Sequence, residues 1–127
     1  MIVLNFSHPL TERHLQTISQ LTGQDVAQVI DVPVKFDVSL PFLPQWDALA
    51  QSLPLTPLDL QTLPILINLP ALNHIAALII AHFHGVTGHF PSIVRLSPVP
   101  ASTPTVFEVA EIINLQALRD NTRSTYR

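Results

Sequence analysis

The chain has 127 residues, 47% of them hydrophobic and only 12% charged, with a net charge of −3 and no cysteine. That balance excludes intrinsic disorder, which needs low hydrophobicity and high net charge. The missing cysteines exclude a disulfide framework, thiolate zinc sites and a cysteine nucleophile, and they suit a cytoplasmic setting. The length predicts one domain over residues 1–127, with a radius of gyration of about 14 Å. A charged fraction well below the usual ~25% leaves little to solvate the surface, so part of it is expected to be hidden in a homodimer or larger oligomer. Residues 1–94 hold only Arg13 and Lys35 against six acids, which argues against a duplex nucleic acid partner. The N-terminus lacks a basic segment before its short apolar run, so no signal peptide is expected. The most apolar stretch, Ile65 to Ala81, is broken by Asn68, Pro70, Asn73 and His74 and is too interrupted to span a membrane.

Ile2 to Phe6 is a short β-branched and aromatic run that reads as a buried strand, followed by a turn at Ser7-His8-Pro9. Leu10, Leu15, Ile18 and Leu21 recur at near-helical spacing up to Gly23, the residue type that ends helices. Val26 to Val34 is a second strand, Pro41 to Leu53 a weaker helix containing Trp46, and Thr56-Pro57-Leu58-Asp59 the cap and first turn of another. Pro64 to Asn68 is a third buried strand. Ala71 to His84 reads as an apolar helix ending at Gly85, and Gly88 marks a loop. Ser92 to Leu96 is a fourth strand, and three prolines between residues 98 and 104 make a rigid connection. Thr105 to Ile113 is a fifth strand; so short a loop cannot make a parallel crossover, so this strand should pair antiparallel with the fourth. Gln116 to Arg127 is a polar terminal helix or tail.

Strands alternating with helices, and strands that are continuously apolar, predict a mostly parallel sheet covered on both faces. The fold class is therefore α/β: a Rossmann-like sandwich with a C-terminal antiparallel hairpin. In such sheets ligands bind beyond the carboxyl ends of the parallel strands. Asn5-Phe6-Ser7-His8-Pro9 and Asn68-Leu69-Pro70 both fall there, each next to an expected helix N-terminus, where free N–H groups favour an anion. Ser7 as N-cap, Pro70 as first helical residue and Asn68 as a second cap is one reading; ligand contact is the other. His8, in an exposed turn, has the chemistry of a general acid or base. His82, His84 and His89 lack the spacing of a metal site, because residues two apart do not share a helix face and no acid lies nearby. Arg95 either reaches the carboxyl edge and pairs with a phosphate or binds Glu108 or Glu111 on the neighbouring strand. Lys35 stands alone in the sequence. Glycine-rich phosphate loops and a G-x-S-x-G elbow are absent, and no cofactor is expected.

Several stretches resemble a small CRISPR-associated protein family of type III systems: Ile-Val-Leu-Asn-Phe-Ser-His-Pro-Leu-Thr at the start, Leu-Thr-Gly-Gln at 21–24, Val-Ile-Asp-Val-Pro-Val at 29–34, Leu-Pro-Ile-Leu-Ile-Asn, the His-Gly and Gly-His-Phe-Pro of 84–91, and Glu-Val-Ala-Glu-Ile-Ile-Asn-Leu-Gln-Ala-Leu-Arg at 108–119. Members resemble CARF-type sensor domains and are grouped with ring nucleases that bind, and in some cases degrade, cyclic oligoadenylates. The resemblance implies a symmetric dimer with cyclic tetra-adenylate across its two-fold axis. Asn5, Phe6, Ser7, His8, Asn68 and Pro70 would line that site, the loop around Gly88 would lie nearby, and Arg95 and Asn114 are further candidates, Asn114 at the opposite edge if its strand runs antiparallel. Three functions follow: sequestration of the cyclic nucleotide, which damps the CRISPR signal; metal-independent cleavage with His8 and Ser7 as catalytic groups; or a ligand-free protein interaction module.

Overall fold

The computed structural model describes all residues, 1–127. Five strands form one sheet: β1 (Ile2–Asn5), β2 (Gln28–Asp31), β3 (Ile65–Asn68), β4 (Ser92–Pro98) and β5 (Phe107–Asn114). Their order is β2-β1-β3-β4-β5, the first four parallel and β5 antiparallel to β4. The chain is thus a Rossmann-like α/β protein with a mixed, mostly parallel sheet and a C-terminal antiparallel pair, as the alternating pattern predicts. Five helices connect or follow the strands: α1 (Glu12–Thr22), α2 (Phe42–Gln51), α3 (Pro57–Thr62), α4 (Asn73–Thr87) and α5 (Leu115–Tyr126).

Strands β1 to β4 contribute residues to two cores, one on each face of the sheet, and β5 contributes to one of them. On one face Val3, Leu66, Val94 and Val109 pack with Ile18 of α1. On the other, Leu4 and Ile67 pack with Trp46 of α2, Leu60 of α3, and Ile75, Ile79 and Phe83 of α4. Strands buried from both sides cannot show the polar alternation of a half-exposed sheet, hence their continuous apolar sequences.

Local signals set most boundaries. Gly23 closes α1 at φ +69°. At α3, Thr56 accepts from the Asp59 N–H while Asp59 accepts from the Thr56 N–H, a reciprocal capping box. Three expectations change. The first helix is capped by Thr11, not Ser7: the Thr11 N–H donates to His14 Nδ1 (3.0 Å), and the His14 N–H donates to Thr11 Oγ1 (3.3 Å). Because His14 Nδ1 accepts, the ring proton sits on Nε2, which donates to the Phe107 carbonyl at 2.8 Å and ties α1 to β5. The fourth helix begins at Asn73, so Pro70 lies in the preceding loop rather than at the first helical position. That helix also runs through Gly85 and stops at Gly88, which alone of the two has a positive φ (+81°). One glycine inside a helix costs only about 1 kcal/mol, and the packing of Ile75, Ile79 and Phe83 outweighs it.

Candidate functional site

Strand order reverses between β1 and β3: the chain leaves β1 for β2 on one side and returns to β3 on the other. The crevice at such a switch point is where open α/β sheets bind ligands. Asn5 and Asn68 end these two strands and are register partners, and Asn5 is also paired with Asp31 at the end of β2.

The Asn5 side chain, 1% exposed, uses its full hydrogen-bonding capacity. Its Oδ1 accepts from the Ser7 N–H (3.1 Å) and from Asn68 Nδ2 (2.9 Å). Its Nδ2 donates to the His8 carbonyl and to Asp31 Oδ1, both at 2.9 Å. Two acceptor and two donor positions are all an amide offers, so the group has one orientation and locks the ends of three strands together. Asn5 and Asn68 are therefore the foundation of the edge, with their amides already bonded to each other.

Above that foundation is a cleft of about 340 Å3, lined by Phe6, Ser7 and His8 after β1, Pro33, Val34 and Lys35 after β2, and Pro70, Ala71 and Leu72 after β3. Phe6 is its floor, buried to 3% and packed on Trp46 with ring centroids 6.1 Å apart. Since the Asn5 amide takes the Ser7 N–H and the His8 carbonyl, the Ser7 and His8 side chains face solvent with no partner in the chain. Lys35 is exposed and also unpaired: the two ion pairs of the chain are Arg95–Glu111 and Arg119–Asp120. At the rim, Leu72 precedes α4 without providing a side-chain cap, and Asn73 Oδ1 accepts from the His74 N–H at 2.9 Å, which leaves the Asn73 and Ile75 N–H groups of the first turn without an acceptor in the chain.

The structure thus brings Phe6, Ser7, His8 and Pro70 together over Asn5 and Asn68. Lys35, isolated in the sequence, joins them. The available signal was its position four residues beyond Asp31, the end of a strand parallel to β1, since parallel neighbours send their following loops to one edge.

Gly88 and Arg95 lie elsewhere. Helix α4 has 15 residues, a length of about 22 Å, and it carries the chain from the carboxyl edge back to the amino edge where β4 starts. Gly88, at the far end of α4, is therefore at the edge opposite Ser7 and His8, contrary to the expectation that its loop lies near them. Asn114 faces Ser92 at this amino edge, where an antiparallel last strand must put it. It caps α5 by accepting from the Ala117 N–H at 2.9 Å. Between the open alternatives for Arg95, the geometry is the ion pair: its Nε meets Glu111 Oε2 at 2.7 Å, across the register. No three His, Asp or Glu side chains gather at a metal-binding distance. His82 packs edge-on to Trp46 (5.1 Å) and His84 on Phe90 (4.3 Å). Burial lowers the His82 pKa from its ordinary 6.5, against a raising influence of Asp47. No helix is long and apolar enough to cross a membrane.

The class that fold and cleft define is a Rossmann-like α/β protein with a switch-point crevice. No protein-family model, curated protein or solved structure matches the chain.

Proposed function

We propose that this protein binds a cyclic oligoadenylate, most simply cyclic tetra-adenylate, between two copies of itself in the cytoplasm and damps type III CRISPR signalling by sequestering it. The observation that carries the reading is the convergence of three parallel-strand loops at the switch point, where Ser7, His8 and Lys35 stay unpartnered above Asn5, whose amide is fully bonded to Asn68, Asp31 and the loop backbone. A hydroxyl, an imidazole, an ammonium and uncapped helix N–H groups are the donors a phosphodiester needs. The choice of a cyclic adenylate rests on the resemblance of the opening Asn-Phe-Ser-His-Pro segment.

Size supports sharing. A cleft of about 340 Å3 is at the small end of ligand sites, which run to roughly 1,000 Å3, and one Lys35 is too little charge for several phosphates. A two-fold axis doubles both volume and donors. Val38, Leu40 and Leu43, each more than half exposed, line a trough with His74, Ala77 and Leu78 of α4, a few residues from the cleft-lining Leu72. Such a patch suits burial against a second copy.

A second reading is metal-independent cleavage. His8 would take the proton of a ribose 2′-hydroxyl, whose oxygen attacks the adjacent phosphorus. The 5′-oxygen would leave with a proton from water, giving a 5′-hydroxyl and a 2′,3′-cyclic phosphate. The free His8 ring favours this, but a catalytic base is usually oriented by a third group and no side chain orients His8, so sequestration is the better supported. Incubating the protein with cyclic tetra-adenylate and separating the products decides between them. An intact ring held at one per two chains is expected. Linear products ending in a 2′,3′-cyclic phosphate make the protein a nuclease, and absence of binding leaves an interaction module.

A further inference from the structure

We propose that the groove between α4 and α5 docks an acidic amphipathic helix of a different protein, independently of the carboxyl-edge cleft. The groove encloses about 520 Å3, floored by Ile80, Phe90, Leu115, Leu118 and Tyr126. No residue of α5 is buried, and Leu118 and Tyr126 are 57% and 81% exposed. An apolar helix face left open after folding marks an interaction surface.

Charge identifies the occupant. Arg119, Arg123 and Arg127 line the groove. Four residues apart, they make one row with a step of about 6 Å along the helix. The last nine positions hold three of the six basic residues and one acid, whereas the first 118 hold three bases and eight acids. Only Arg119 is paired, with Asp120 at 3.0 Å; Arg123 and Arg127 are uncommitted. An apolar floor with a row of guanidinium groups complements a helix whose apolar stripe is flanked by a carboxylate on each turn. A single-stranded nucleic acid would want several aromatic platforms for its bases, but Phe90 is stacked on His84, leaving Tyr126 alone. A second copy of this chain does not fit either. Its helices α1, α2, α3 and α5 carry one acid each and α4 none, so none presents a row of carboxylates.

Fluorescence anisotropy with a labelled synthetic helix of about five turns, leucines on one stripe and glutamates along its flank, tests this. Two controls carry lysine in place of every glutamate or the same residues in scrambled order. The acidic helix should bind in the micromolar range, more weakly as salt rises. The double variant R123E/R127E should lose about tenfold or more in affinity for it and gain affinity for the lysine helix. Its thermal midpoint should not move, because Arg123 and Arg127 are exposed and unpaired, nor should its binding of cyclic tetra-adenylate. The proposal is overturned if the acidic helix does not bind, if either control binds equally well, if charge reversal does not swap the preference, or if a single-stranded oligoadenylate binds the groove more tightly than the helix.

Discussion

At the carboxyl edge of the sheet, three loops meet over Asn5 and Asn68 and leave Ser7, His8 and Lys35 without partners. At the amino edge, polar groups are consumed locally. The Phe90 N–H donates to Gln116 Oε1 (2.8 Å), the Thr87 hydroxyl lies 2.8 Å from both the Phe83 and the His89 carbonyls with one proton to share between them, and Asn114 caps α5. A cavity of about 380 Å3 lies there too, with His89, Asn114 and Gln116 on its lining and no charged residue. Two edges of one sheet, similar in cavity size, thus differ in what they offer a ligand. In the first, buried amides hold the backbone so that side chains need not; in the second, the side chains themselves hold the turns.

The sharpest way to break the carboxyl edge is Asn5→Ala. It strands the buried Asn68 amide and the part-buried Ser7 N–H and His8 carbonyl at once, and with a penalty of roughly 1–3 kcal/mol for a buried group left unsatisfied and less where water can reach, the loss should be about 2–3 kcal/mol. Denaturant unfolding measures it. A loss below about 1 kcal/mol would mean that the loops hold themselves, and the contrast with the amino edge would disappear. Asn68→Ala should follow the same course in weaker form, because its side chain is buried to 4% and donates to Asn5.

Ser7→Ala should do the reverse. Its hydroxyl supports nothing in the chain, so stability should hold while affinity for cyclic tetra-adenylate falls by roughly 1.5–3 kcal/mol, the value of a hydrogen bond to a charged group. Arg95→Ala is the control. Its half-exposed pair with Glu111 is worth no more than about 1 kcal/mol, and calorimetric titration should find the affinity unchanged. Equal losses from both variants would mean the ligand lies across β4 instead.

At the amino edge, Gly88→Ala should cost about 1 kcal/mol. An added Cβ meets nothing within 4 Å, but φ is +81°, where alanine is strained. Ligand affinity should not change; if it does, the two edges are coupled.

The smallest effect concerns pH. Burial disfavours the charged form of His82, so its folded pKa is below the ordinary 6.5. The unfolded chain therefore binds the extra proton first. Stability contributed by His82 is complete above about pH 7 and declines as pH falls through 6.5 towards the folded value. Thermal midpoints of the protein and of His82→Gln, compared between about pH 7.5 and 5.5, should converge on acidification. Parallel curves would show that the ring titrates freely.

The amino-acid sequence by itself determined the elements and their pairing sense wherever the signal is short-ranged. Continuous apolar runs such as Ile65-Leu66-Ile67 announce strands buried on both faces, Gly23 and the Thr56–Asp59 pair announce helix ends, and the rigid turn after β4 forces β5 antiparallel. Only the tertiary structure decided three other things. It moved the first cap from Ser7 to Thr11, through a ring that also reaches Phe107 in β5. It carried α4 through Gly85 to Gly88 and so put that loop at the far edge. It joined Asn5 to Asn68, 63 residues apart, and brought Lys35 to the same cleft as Ser7 and His8. Capping and turn preferences act within a few residues, and a reading of them is as good as their range. Strand order is set by how whole apolar faces bury against one another, and no residue carries that information alone.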